Sequence, residues 1–372
     1  MRRIVIADDL TGAAELAGIA WSCGLSTHLV VASPETDLTA NGVGEADVLV
    51  VATDTRSMTE AEAVAETKRV AGALKAVLQS ATIFKKVDSA LRGHVVAELR
   101  QLMRCAGKGK AVYMPANPSK GRIIRNGIYY IKDEKTLKPL AETAFATDPE
   151  FPAFSSVLRE RFPDAEATGI MMPDDTSEAD IAAIVAGTDS DTIMAGAADL
   201  FKAHLTATQK GETVTPADRK TATPFSEDKT LILCGSTQSR IDSWQQPASA
   251  MPLAVYEGGC DLTDWQADAL TKYEGGQGGV VLCIGYNHLT GHDSALHLRL
   301  QMGRMAAWLM ERHQPAHLVI EGGATAFCTL QQAGIWQLRI VRQLAPGVVT
   351  MQADSGMLVT LKPGSYSWNC SI

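Results

Sequence analysis

Arg3-Ile4-Val5-Ile6-Ala7-Asp8-Asp9-Leu10-Thr11-Gly12 is apolar without alternation as far as Ala7 and then abruptly acidic. An unbroken run rich in β-branched residues suits a strand covered on both faces, the situation of a parallel sheet. Residues 12–23 then read as a helix. Working outward, similar runs predict strands at 27–32, 47–52, 82–84 and 111–114, with helices at 60–79 and 95–105. Strands alternating with helices imply a parallel sheet flanked on both sides. Between 210 and 228 the chain turns polar and rich in breakers, as a linker does. A second series opens at 229–234, followed by the turn Gly235-Ser236-Thr237 and buried strands at 280–284 and 317–320. The expected fold class is α/β, with two domains at 1–225 and 226–372, each a mainly parallel sheet flanked by helices. Leu298, Met302, Met305 and Leu309 recur at helical spacing and read as core.

The length of 372 residues accommodates two such cores. A formal charge of -8 argues against a general nucleic-acid surface, which needs a basic excess, but leaves room for a local basic pocket. The N-terminal apolar run is interrupted by Asp8 and Asp9 too early for a signal peptide, and no apolar run reaches membrane-spanning length. Seven cysteines are scattered without a Cys-x-x-Cys pair, and Cys234 and Cys283 sit inside apolar runs. That usage fits a reducing compartment, with neither a disulfide framework nor a zinc site, so the expected location is the cytoplasm. His288, His292 and His297 are spaced by four and five residues and keep no common helical face, so no metal site is assigned to them.

Three of the predicted strands run into polar segments: Asp8-Asp9-Leu10-Thr11-Gly12, Thr53-Asp54-Thr55-Arg56, and Lys85-Lys86-Val87-Asp88-Ser89-Ala90-Leu91-Arg92-Gly93. Ligands of open parallel sheets bind outside the carboxyl ends of the strands. Any one Asp or Thr there could simply cap a helix. Adjacent like charges at Asp8 and Asp9, however, need compensation, and Lys86, Asp88 and Arg92 arrive at the same sheet edge. The coincidence favours a polar small-molecule site.

Ile6-Ala7-Asp8-Asp9-Leu10-Thr11-Gly12-Ala13 and Lys85-Lys86-Val87-Asp88-Ser89-Ala90-Leu91-Arg92-Gly93 resemble the two signature segments of the four-carbon acid sugar kinase family. The resemblance continues through Pro115-Ala116-Asn117-Pro118, Gly121-Arg122 and Asn126-Gly127. It resumes at Gly235-Ser236, Gly322-Gly323-Ala324-Thr325, Pro346-Gly347-Val348 and Leu361-Lys362-Pro363-Gly364. It implies a sugar-acid-binding domain at 1–225 and a nucleotide-binding domain at 226–372. Carried over by motif, Asp8 or Asp9, Arg56 and the run from Lys86 to Ser89 contact the acid, with Arg92 beside them. A carboxylate substrate wants Arg or Lys, and its hydroxyls want Asp and Ser. Phosphoryl transfer also wants one carboxylate at the attacking hydroxyl, for which Asp9 and Asp88 are both candidates. Ser236, Gly322, Gly323, Thr325 and Gly364 would line the nucleotide site, since glycine turns and helix N-termini suit phosphates. The expected cofactors are ATP and Mg2+, the latter held mostly by phosphates and water. The expected partner is a small sugar acid, with no nucleic acid and no membrane; a homo-oligomer is left open.

The pattern departs from the family at three places. Ala90 stands where the family has Thr, Ala324 replaces the acidic residue of Gly-Gly-Glu-Thr, and Lys362-Pro363-Gly364-Ser365-Tyr366-Ser367 alters Lys-Ser-Gly-x-Phe-Gly. The chain is also shorter between the domains. Two rival readings follow. One is a sugar-acid-binding protein without catalysis, its nucleotide site degraded. The other is a haloacid dehalogenase-type phosphatase, whose nucleophile loop needs two carboxylates one residue apart where here they are adjacent. A P-loop is excluded, because Lys108-Gly109-Lys110 lacks the glycine spacing and the Ser or Thr.

Overall fold

In the computed structural model Ile4, Val5, Ile6 and Ala7 are fully buried in strand β1 (Arg3–Ala7), as an apolar run without alternation requires. The structure describes residues 3–36, 38, 46–133, 136–148, 150–208, 229–235, 251–256, 261–276, 279–285 and 292–364. The chain forms two units, Met1–Thr27 with Glu35–Thr215, and His28–Pro34 with Pro216–Ile372. The expected linker at 210–228 lies outside the described residues.

Beyond β1, the first unit contains β3 (Val48–Ala52), β4 (Thr82–Lys86), β5 (Lys110–Met114), β6 (Arg122–Arg125), β7 (Ile128–Asp133), β8 (Thr136–Pro139), β9 (Ile170–Met171) and β10 (Thr192–Gly196), while β2 (Thr27–Val31) falls almost wholly in the second. Its main sheet runs β3-β1-β4-β10-β5-β9, and every pair is parallel. The helices Leu10–Ser22 and Ala198–Thr208 pack together, as do Glu60–Ala73 and Val95–Ala106. The expected helix over 60–79 is two helices, Glu60–Ala73 and Lys75–Leu78, with the break at Leu74 just after Gly72. Glycine weakens a helix interior. Strand β4 is longer than its apolar run because Lys85 and Lys86, both buried, continue it.

β6, β7 and β8 form a separate antiparallel sheet. Arg125 pairs with Ile128 across Asn126 and Gly127, whose φ values are 51° and 72°. Two central residues with positive φ make a type I′ turn, which Asn-Gly favours.

The second unit contains β11 (Thr230–Cys234), β12 (Leu253–Tyr256), β13 (Gly279–Ile284), β14 (His317–Glu321), β15 (Gln337–Ala345), β16 (Val348–Ala353) and β17 (Leu358–Lys362). β12-β13-β11-β14-β17 are parallel, and β16, β15 and β2 continue the sheet antiparallel. Ile232, Cys234, Val281, Cys283 and Val319 make a core cluster, so the two cysteines act as small apolar residues. Pro346 and Gly347 close the β15–β16 hairpin, with Gly347 at φ 81° as the third position of a Pro-Gly turn demands. Met302, Met305 and Leu309 are buried on the helix His292–His313, as the spacing predicts, while Leu298 is half-buried. His292 and His297 lie on that helix, His297 exposed and near the Tyr256 hydroxyl; His288 is outside the described residues. Among the described residues no helix is long and apolar enough to cross a membrane.

Candidate active site

The register of the first sheet sets Ala7 beside Ala52 on one side and Lys86 on the other. The chain therefore leaves three neighbouring strands at one level, into Asp8, Thr53 and Val87. β3 and β4 lie on opposite sides of β1, so the strand order reverses there. Such a switch point opens a crevice at the carboxyl edge.

Arg56 occupies that edge. Its Nε and Nη2 donate to Asp8 Oδ2 and Oδ1 at 3.0 and 2.9 Å, and Nη2 also donates to Asp9 Oδ1 at 2.7 Å. Its Nη1 stands 3.7 Å from Asp88 Oδ1. The adjacent negative charges thus share one guanidinium. Asp88 is gripped by Arg92, whose Nε and Nη2 donate at 2.9 and 3.1 Å, and it accepts the backbone N–H groups of Ala90 and Arg92. The Ala90 contact is made by backbone, so the loss of a Thr side chain there leaves the turn closed. Asp9 also caps the helix Leu10–Ser22, accepting Gly12 N–H at 3.1 Å and the Thr11 hydroxyl. Capping and clustering are both true of this residue. Lys86 donates to the Val87 carbonyl at 2.8 Å, and its ammonium stands about where a Cβ at Gly12 would crowd it.

Burial pushes the Asp8 carboxyl up, even against Arg56. For Asp9 burial acts the same way, but Arg56 and Lys86 outweigh it and hold the group below its ordinary value. Asp88 is also buried, yet Arg56 and Arg92 hold it far below the usual carboxylate range. Three like groups are thereby set apart by their cations.

Behind the edge, the buried Glu98 accepts from Lys85 at 2.7 Å, Thr55 at 2.8 Å and Thr67 at 3.3 Å. Thr53 donates to the Ala7 carbonyl at 2.8 Å. These contacts tie the segments after β1 and β3 to β4 and a helix. On the loop after β4, buried Leu91 adopts φ 62°, a conformation that costs a bulky residue about 1–2 kcal/mol. Asp88 on one side and a donor from Arg161 to the Leu91 carbonyl on the other hold it there. Gly93 at φ 92° lies against Asp8 and Arg56, where a side chain would be strained.

Ser89 faces the small sheet. Arg122 at the start of β6 donates Nη1 to Ser89 Oγ, and buried Tyr129 of β7 donates to the Ser89 carbonyl at 2.5 Å. The Phe145 ring lies beneath Arg92 and Arg122, 5.6 and 6.0 Å from their guanidinium carbons. Tyr129 and Phe145 had no signal of a role in the sequence. Asn126-Gly127 could have announced the hairpin that carries Tyr129.

In the second unit Gly322 (φ 99°) is the N-cap of the helix Gly323–Gln332 and supplies no side-chain cap, while Thr325 is buried in its first turn. Gly322 N–H donates to the Lys362 carbonyl at 2.9 Å, and Gly235 N–H donates to the Glu321 carbonyl at 3.2 Å. Lys362 Nζ donates to Glu321 Oε1 at 2.5 Å in a fully buried pair. The turns after β11, β14 and β17 are thereby fixed together. A Cβ at Gly235 would overlap the Thr325 side chain, so the backbone there stays bare. Gly323 and Thr325 thus share one helix start, and Gly364 follows β17. Ser236 is outside the described residues. An uncapped helix N-terminus among bare glycines fits a phosphate group.

The class this defines is a two-domain α/β protein. Residues 3–168 match a sugar-binding N-terminal domain and residues 289–366 a nucleotide-binding C-terminal domain. The two matched domains, in this order, are those expected from the resemblance to the four-carbon acid sugar kinase family. The chain is 37% identical over 153 residues to a D-threonate kinase of Bordetella bronchiseptica, covering 41% of this chain and 36% of that one. It is 26% identical over 417 positions to a 3-oxo-tetronate kinase of Cupriavidus necator, covering 97% and 93%. A solved structure from Salmonella typhimurium LT2 superposes with TM-score 0.73 at 19% identity, covering 98% of this chain and 96% of that one, a likeness of fold.

Proposed function

We propose that the protein is a cytoplasmic ATP-dependent kinase that phosphorylates a hydroxyl of a small, four-carbon-like sugar acid. The observation that carries the reading is the cluster of Asp8, Asp9, Arg56, Asp88 and Arg92 at the carboxyl edge of a sugar-binding domain. It is supported by phosphate-compatible turns in a nucleotide-binding domain and by the kinase names of the relatives. The domain 1–225 takes the acid through Asp8, Arg56, Lys86, Ser89 and Arg92. The domain 226–372 takes the nucleotide through Ser236, Gly322, Gly323, Thr325 and Gly364. Bound ATP supplies the phosphoryl group, with Mg2+ carried mostly by phosphates and water.

Asp9 or Asp88 orients the attacking hydroxyl and receives its proton. A carboxylate has about four acceptor positions. Those of Asp88 are taken by Ala90, Arg92 and the approach of Arg56, whereas among the described residues Asp9 Oδ2 accepts from Thr11 alone. Asp9 is therefore the better placed of the two, and Asp88 holds the cations in position. The test is a phosphorylation assay across tetronates and related sugar acids with Mg-ATP. At least one acid should be phosphorylated on a single hydroxyl. ATP binding without turnover of any acid would overturn the reading.

A further inference from the structure

Arg56 and Arg92 reach their carboxylates within 4.0 Å, but among the described residues Arg122 reaches none. Its side chain is half-buried, its Nη1 is given to the neutral Ser89 hydroxyl, and Phe145 covers its face. A guanidinium taken out of water without a counter-charge is costly, so the place suits an anion. The remaining edge, Nε with Nη2, is the side-on fork that meets a carboxylate with two parallel hydrogen bonds.

Arg122 is also held rigidly. Its N–H and C=O pair with Asn117 at 3.1 and 2.8 Å, and Tyr129 pins the same hairpin to Ser89. Lys86, which among the described residues also has no carboxylate within 4.0 Å, is compensated differently, since its charge acts on both Asp9 and Asp88. Arg161 spends its Nη groups on the Leu91 and Pro152 carbonyls.

Resting on the proposed kinase reading, we infer that Arg122 binds the carboxylate of the sugar acid, with Phe145 as the apolar wall beside it. Arg56 then serves chiefly to hold the three aspartates together, and selection for an acid over a neutral polyol resides in the hairpin. None of the sequence motifs assigned this role to Arg122.

The experiment compares full-length wild type with Arg122→Gln and Arg122→Lys on two substrates, the tetronate that wild type turns over fastest and the amide of the same acid. KM and calorimetric affinity are read for both. Arg122→Gln should raise KM for the acid roughly tenfold to a hundredfold, the range of a lost charge-assisted hydrogen bond, with a smaller change in kcat. KM for the amide should stay within about twofold, and Arg122→Lys should recover part of the loss for the acid. An unchanged KM for the acid in Arg122→Gln, with wild type active, overturns this inference alone. Equal weakening of acid and amide also overturns it, since that marks a structural role. If wild type neither binds nor phosphorylates any such acid, the kinase reading itself fails and takes the inference with it.

Discussion

Asp9 and Asp88 were both readable from the sequence as carboxylates at strand ends, but which oxygen remains open depends on partners many residues away. In the proposed reaction Asp9→Asn keeps the cap to Gly12 through its amide oxygen and loses the proton acceptor. Turnover should fall about a hundredfold or more with little change in melting temperature. Asp88→Asn breaks the fork with Arg92 and should lower both turnover and stability. Steady-state kinetics with thermal melts separate the two, and near-full turnover in Asp9→Asn would place the acceptor elsewhere. Acid sensitivity follows from the same groups. The folded-state pKa values of Asp9 and Asp88 are depressed below the ordinary 3.8, so their stabilisation is present above that pH. It is lost as pH falls through the lower, folded values. Asp8 is raised, so its contribution has the opposite sign and is lost as pH rises through its folded value. Denaturant titrations between about pH 5 and pH 2 should show falling stability, with a shallower slope in Asp88→Asn.

The Asn126-Gly127 hairpin carries its signal openly, yet a reading by strand–helix alternation passes over it, because β6 and β7 are antiparallel and stand apart from the main sheet. β1 was legible for the opposite reason: its apolar run is uninterrupted and buried on both faces. β4 was only half legible, since Lys85 and Lys86 look like solvated residues until their partners are known. Lys85 is buried because Glu98, thirteen positions on, meets it. Removing one partner of a buried ion pair leaves an uncompensated charge, so Glu98→Ala should cost about 3–5 kcal/mol by urea unfolding. The double change Lys85→Met with Glu98→Leu should cost less than Glu98→Ala alone. A double variant as unstable as the sum of its singles would show that the pair is not what holds these segments. At the hairpin, Gly127→Val forces a branched side chain into φ 72° and should cost about 1–2 kcal/mol. By disturbing β6 it should raise KM for the acid while leaving ATP affinity unchanged, which calorimetry checks.

Alternation of strands and helices reveals a strand series in each half of the chain, but it cannot tell that residues 28–34 group with the second half. The chain leaves the first unit at Thr27, adds β2 to β15, and returns at Glu35. Local pattern is silent on which sheet an apolar strand joins, because the pairing of Leu29 with Leu338 spans most of the sequence. A division at residue 225 therefore leaves the second domain without one of its strands. Gln337, Leu338 and Arg339 of β15 (Gln337–Ala345) would then lose their partners and expose N–H and C=O groups at an edge, a template for association with other chains. A fragment of residues 226–372 should consequently aggregate or melt early. The same fragment carrying residues 27–34 on a flexible N-terminal linker should be monomeric and melt at higher temperature, because β2 pairs again with Gln337, Leu338 and Arg339. Replacing Leu29 by Pro in the appended segment removes a backbone donor from the ladder opposite Leu338 and should cancel the gain. Size-exclusion chromatography and thermal melts on the three fragments decide the matter. If the bare fragment is already monomeric and as stable as the supplemented one, β2 is dispensable to the second unit and the assignment of 28–34 to it has no energetic content.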